Sequence, residues 1–215
     1  MSVSDASAVY GAGVGRWPGG TRQRVQEAAL ALFAERGYAT TTVDDIAARA
    51  EVSARTVFRH FRDKEEVLFD ADDALAAALL DAARDAPAGA PPLLVVRAAL
   101  AALVAVLEPE RPALRRRASV LASDIALQGR DLAKQARWSA ALGEELVARG
   151  TDPATAALLT ATGAAAFRTC YTAWLADTAG PGLEERLDSA WARLADALRG
   201  VPTGSVRSAR PAGRG

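Results

Sequence analysis

The sequence predicts an all-α chain of about nine helices, with an N-terminal three-helix helix-turn-helix domain followed by a helical bundle. Three observations predict it. Apolar residues recur at helical spacing through nearly every stretch lying between Gly and Pro breaks. Asp, Ser or Thr stands as a capping residue ahead of most of those stretches. The stretch 41–61 reads as two short helices joined by a tight turn.

Residues 1–20 carry five Gly and no helical periodicity, so residues 1–18 are expected to form a disordered arm. A first helix is expected over Thr21–Arg36, with Val25, Ala28, Ala29, Leu32 and Phe33 inward and Gly37 as its stop. Thr42 with Asp45 makes a capping box for a second helix whose Val43, Ile46, Ala47 and Ala50 share one face. Ser53 caps a third, with Val57 and Phe61 turned inward. Asp63 with Glu66 opens a long fourth helix carrying Val67, Leu68, Ala71, Leu75, Leu79 and Ala82 on one stripe. The segment 85–92, rich in Pro and Ala, ends it. A fifth helix follows over 93–107, and a sixth starts near Pro112. Its Arg115-Arg116-Arg117 run reads as a solvated face holding salt bridges, with a DNA or acidic-ligand contact as the alternative. The seventh runs from Ser123 or Asp124 to Arg149. Asp152-Pro153, a cap followed by Pro at the first helical position, opens the eighth, which reaches about Thr178. The ninth spans 183–198 with Leu187, Trp191, Leu194 and Leu198 on its stripe, and residues 200–215 form a disordered tail. The division expected from this pattern is 19–79 for the helix-turn-helix domain and 80–199 for the bundle.

The outer side of the two short helices has the chemistry of a duplex reader. Hydroxyls at Thr41, Thr42 and Ser53 stand at helix N-termini, where backbone N–H groups already favour phosphate. Arg55, Thr56, Phe58, Arg59 and His60 populate the outer face of the second short helix, and Lys64 follows it. An Arg near the start of such a helix is suited to guanine O6 and N7, and Phe58 to a thymine methyl or a deoxyribose. These nine residues are the candidate DNA contacts. By itself the pattern also fits an ordinary three-helix core with a solvated basic face.

The segments Ala28-Ala29-Leu30-Ala31-Leu32-Phe33-Ala34-Glu35-Arg36-Gly37-Tyr38, Thr41 to Ala50, Val52-Ser53 and Val57 to Phe69 resemble the TetR family of bacterial repressors, without gaps, for about 50 residues. Glu51 stands where that family usually has Gly in the turn, and Phe58 where it usually has Tyr. The resemblance implies a homodimer with an N-terminal DNA-binding domain and a C-terminal domain that dimerises and binds an effector. It also places Trp138, Phe167, Cys170 and Tyr171 near a cavity between the fourth, fifth, seventh and eighth helices, making them the candidate effector contacts. Tyr171 would anchor a head group and Trp138 would close the mouth. More loosely, Ala136-Arg137-Trp138 and the pattern around Trp174-Leu175-Ala176-Asp177 resemble actinobacterial regulators of the mycofactocin-system type. That likeness implies an acyl-CoA-like effector among the candidates.

Composition narrows the function classes. Half of the 215 residues are hydrophobic, enough for a sizeable core. Lys plus Arg and Asp plus Glu balance at 26 each, and residues 1–70 carry nine basic against ten acidic residues. DNA binding must therefore rest on local placement of charge rather than a bulk basic field. The single His, His60, falls in the reading helix, so His-based triads and multi-His metal sites cannot be built. One Cys, Cys170, allows no intramolecular disulfide. No catalytic residue, metal or cofactor is expected. The start lacks a basic, apolar leader, and the run 98–107 is too short to span a bilayer, so a cytoplasmic protein with no membrane segment is expected. The function expected is a homodimeric repressor that leaves a pseudo-palindromic operator when a small lipophilic effector binds. The alternative is a structural or partner-binding helix-turn-helix protein without a pocket.

Overall fold

The computed structural model describes residues 20–69 and 72–199, so the expected arm and tail lie outside the described residues. Within these residues the chain is helical with no strand. It forms α1 (Thr21–Arg36), α2 (Val43–Arg49), α3 (Ala54–His60), α4 (Glu66–Phe69), α5 (Asp72–Arg84), α6 (Pro92–Leu107), a short 3-10 turn (Glu108–Glu110), α7 (Arg111–Ala122), α8 (Ile125–Ala148), α9 (Pro153–Ala176) and α10 (Leu183–Arg199). The expected fourth helix is described as two pieces, α4 and α5, on either side of residues 70 and 71.

Local chemistry starts these helices where the sequence places the caps. Thr42 accepts from the Asp45 amide and Asp45 accepts from the Thr42 amide, closing the capping box of α2. Ser53 accepts from the Thr56 amide at the head of α3. Asp124 caps α8 by accepting from the amides of Ala126 and Leu127, and Asp152 caps α9 ahead of Pro153. Glu51, in the turn between α2 and α3, has φ 55, the left-handed conformation that glycine adopts most easily. The turn is thus made with a residue less suited to it than glycine.

Two cores result. The first gathers Val25, Leu32, Phe33, Ile46, Val57, Phe61 and Leu68 from α1–α4, and Val120, Leu121 and Leu127 from α7 and α8 join it. The second is built on α6, whose Val95, Val96, Ala99, Leu100, Leu103, Val104 and Leu107 are all buried, with Leu142, Leu146, Trp174, Leu187 and Trp191 around them. The ends of α7 and α8 therefore belong to the core of the helix-turn-helix. The span Pro92–Ala122 runs on as helix and is long and apolar enough to cross a bilayer, longer than the apolar run 98–107 that the sequence suggests. Its apolar side chains fill both of these cores.

The small-residue face of α9 turns inward. A Cβ on Gly163 would lie 2.7 Å from Cγ1 of Val96 and 3.3 Å from Cδ1 of Leu100, so the α9 backbone lies directly on these α6 side chains. The opposite face leaves Ala154, Ala157, Leu158, Ala161, Ala165 and Thr169 exposed. Arg168 is the one charged residue in the 24 of α9.

Candidate nucleic-acid interface and internal cavity

Arg55, Phe58 and Arg59 stand at i, i+3 and i+4 of α3 and form one exposed strip, with Phe58 55% exposed. Ser53, exposed, and Thr56, half-buried, share a hydroxyl–hydroxyl hydrogen bond of 2.9 Å at the helix head. Thr42 is exposed at the head of α2, its hydroxyl 2.7 Å from Asp45 Oδ2. These six residues combine hydroxyls, guanidinium groups and one aromatic at the two short helices, the combination that pairs phosphate contact with base contact.

Three of the expected contacts lie elsewhere. Thr41 is 1% exposed and its hydroxyl donates to the carbonyl of Gly37 at 2.9 Å and to that of Leu32 at 3.4 Å, so it ties down the α1–α2 connection. Lys64 reaches the same connection from the other side. Its ammonium donates to the carbonyls of Tyr38 at 2.8 Å and Thr41 at 3.0 Å and sits 4.2 Å from the centre of the Tyr38 ring. Both side chains were expected outside because they follow or precede a cap, and both are drawn in by carbonyls of residues 37–41, which lie between the helices. His60 is half-buried beside Phe61, its Nε2 buried with no hydrogen bond among the described residues. An exposed ion pair that helical spacing does not reveal braces α1 against α2. Arg49 on α2 grips the Glu35 carboxylate on α1 through two bonds of 2.8 and 3.0 Å, holding that carboxyl below its ordinary range.

Inside the bundle lies a cavity of about 360 Å³, within the roughly 300–1,000 Å³ of small-molecule sites. Leu79, Leu100, Leu103 and Leu142 supply apolar wall, and Gln26, Leu30, Val67 and Leu68 of α1 and α4 close it from the helix-turn-helix side. Trp138, Phe167 and Tyr171 all line it, the last two stacked with centroids 5.6 Å apart. Burial pushes the Tyr171 phenol up to about 12, with Arg117 opposing and Asp131 reinforcing, so it is a neutral hydrogen-bonding group at ordinary pH. Cys170 is turned away. It is buried, and its Sγ meets the Arg186 carbonyl of α10 at 3.4 Å, because one position along a helix rotates a side chain about 100° from its neighbour.

One wall of the cavity is ionic. Asp131 Oδ1 accepts from Lys134 Nζ at 3.0 Å and from Arg117 Nη2 at 3.2 Å, and Oδ2 accepts from Gln135 Nε2 at 2.7 Å. Burial works to raise the Asp131 pKa, but the charges of Lys134 and Arg117 outweigh it and hold the carboxyl below its usual range. Arg115 and Arg116 are exposed, as expected of a solvated run, although Arg116 also borders the cavity, and Arg117 is half-buried and bonds Asp131. The Phe69 ring lies under Arg117, Arg130 and Lys134 at 5.1, 5.0 and 5.5 Å. The Asp131, Lys134 and Gln135 spacing on α8 was the available signal.

Comparison with known proteins agrees with this arrangement. The description of bacterial regulatory proteins of the tetR family matches residues 26–71, and that of the MftR C-terminal domain matches residues 90–199. The transcriptional regulator TcmR of Streptomyces glaucescens is 43% identical over 84 residues, 39% of this chain and 37% of that one. The transcriptional repressor Rv3405c of Mycobacterium tuberculosis is 50% identical over 44 residues, 20% of this chain and 23% of that one. These matches thus span well under half of either curated relative. Among solved structures, Thermus thermophilus FadR, a TetR-family repressor in complex with lauroyl-CoA, is similar with a TM-score of 0.54 and 26% identity, covering 87% of this chain and 98% of that one. A regulator from Syntrophomonas wolfei shares the fold with a TM-score of 0.60 at 16% identity. With one family description over its helix-turn-helix and another over the helices that enclose most of the cavity, the chain belongs to the TetR family of bacterial transcriptional regulators and is not an enzyme.

Proposed function

We propose that the protein is a homodimeric repressor of the cytoplasm that holds a pseudo-palindromic operator and leaves it when a small lipophilic effector fills the cavity. Residues 19–79 would bind DNA, and residues 80–199 would bind the effector and dimerise. The observation that carries this reading is the continuity of the cavity. Its wall is made at once by α5–α9 and by Gln26, Leu30, Val67 and Leu68 of the helix-turn-helix side. A ligand there touches both parts, so its affinity differs between arrangements of the reading helices. That difference is the whole of what an effector can contribute to release.

The Arg55, Phe58 and Arg59 strip supports entry of α3 into a major groove. The exposed, nearly uncharged face of α9 supports a second copy across a two-fold axis, which would place two such strips roughly 34–36 Å apart, one helical turn of DNA. The mostly apolar cavity, and the lauroyl-CoA named for the similar Thermus repressor, support an acyl compound as effector.

Fluorescence anisotropy on duplexes from the DNA flanking the protein's own gene tests the reading. Two protomers should bind one duplex tightly, and lauroyl-CoA or another lipophile of similar size should weaken binding at least tenfold. Failure to bind any flanking duplex, or operator affinity indifferent to a broad lipophile panel, would overturn it.

A further inference from the structure

We infer that the ionic wall of the cavity is a head-group site for a carboxylate carried on an apolar body, and that Arg117 is the side chain the carboxylate engages. The inference rests on the effector reading of the cavity and narrows its ligand from lipophile to lipophilic acid.

Donors from two helices converge on one carboxylate at this wall. Lys134 and Gln135 of α8 and Arg117 of α7 all bond Asp131, which stands in a mostly apolar cavity whose lining also includes Glu27, Glu110, Arg116 and Arg168. A planar guanidinium, an ammonium and an amide aimed together match the lone pairs of a carboxylate, and Asp131 shows that the wall holds one. A ligand carboxylate arriving along the apolar walls meets the same cations and exchanges with Asp131 for Arg117. An alcohol of equal length offers one weak dipole to charges already satisfied, and its hydroxyl is desolvated without a charge-assisted bond in return. The Tyr171 phenol, neutral and on the same cavity, is a further donor for the incoming head.

Arg117 is also where occupancy leaves the cavity. Its Nε donates to the Leu68 carbonyl at 2.6 Å, and its guanidinium lies over the Phe69 ring, both residues of α4. A head group that draws the guanidinium inward acts directly on α4, within the segment 19–79.

Calorimetric titration of the full chain with laurate, 1-dodecanol and lauroyl-CoA tests the site, because the chain length is constant and the head changes. Laurate should bind at least tenfold tighter than dodecanol, and Lys134→Met and Arg117→Gln should each abolish that preference. Asp131→Asn, which removes the competing carboxylate and keeps its shape, should tighten laurate several-fold and leave dodecanol unchanged. It keeps the test open if Arg117→Gln does not fold. Equal affinity for laurate and dodecanol in the wild type, or laurate affinity unchanged or weakened in Asp131→Asn, overturns the inference. Binding of lauroyl-CoA without laurate also overturns it while leaving the effector cavity standing. Binding of none of the three overturns the cavity reading itself.

Discussion

Arg117 and Leu68, 49 positions apart in sequence, are joined by a 2.6 Å hydrogen bond from the guanidinium Nε to the backbone carbonyl. The same guanidinium pairs with Asp131 at 3.2 Å, so one side chain holds α4, α7 and α8 together at the cavity wall.

Arg117→Ala should therefore change acid stability. The Asp131 carboxyl is lowered in the folded chain, so its contribution is fully present above its unfolded value of about 3.9 and is lost as pH falls through the folded one. Without Arg117 the folded value rises towards the unfolded one, and that contribution shrinks. Acid unfolding followed by circular dichroism should begin at higher pH in the variant. An acid limb identical to wild type would separate Arg117 from Asp131.

Arg55→Ala should cost about 1–3 kcal/mol of operator affinity and relax preference at one base position, as loss of a bidentate base contact does. Binding to operators substituted position by position checks it. A loss spread evenly over all sequences would make Arg55 a phosphate contact instead.

Lys64→Met should lower the melting temperature more than it alters DNA binding. The ammonium satisfies the carbonyls of Tyr38 and Thr41, and removing a charged donor from part-buried acceptors costs about 1–3 kcal/mol. The salt dependence of operator binding, measured on the folded fraction, should keep its slope. A slope flatter by about one unit would return Lys64 to the phosphates.

Glu51→Gly should stabilise the chain. A non-glycine residue at φ 55 carries roughly 1–2 kcal/mol of strain, and glycine gives back only part of it through its freer unfolded chain. A gain of about 0.5–1 kcal/mol in urea unfolding is expected, and Glu51→Ala should show none of it.

Two substitutions on opposite faces of α9 separate folding from association. Gly163→Leu meets Val96 and Leu100 and should destabilise by at least about 1–3 kcal/mol, as overpacking does. Leu158→Arg, at a residue 66% exposed, should leave helical content unchanged and yield monomers in sedimentation. Sedimentation of that variant as a dimer would move the interface off this face.

What the sequence determined by itself was everything set by neighbours within one helical turn. The Thr42 and Asp45 box, the caps Ser53, Asp124 and Asp152, and the inward faces of α1–α3 and α6 depend on spacing alone. So does the outward strip of Arg55, Phe58 and Arg59, because Val57 and Phe61 fix the opposite face. Tertiary structure decided where flexible or small side chains found distant partners. Thr41 and Lys64 were taken up by carbonyls of the 37–41 connection, and His60 was folded in beside Phe61. Gly163 went to a helix crossing, and Cys170 to α10 rather than the cavity. In the run Arg115-Arg116-Arg117, only the third residue meets Asp131 and Leu68. A run of three identical residues contains no record of which one faces inward. That choice depends on the rotation of α7 against α4 and α8, which long-range packing sets.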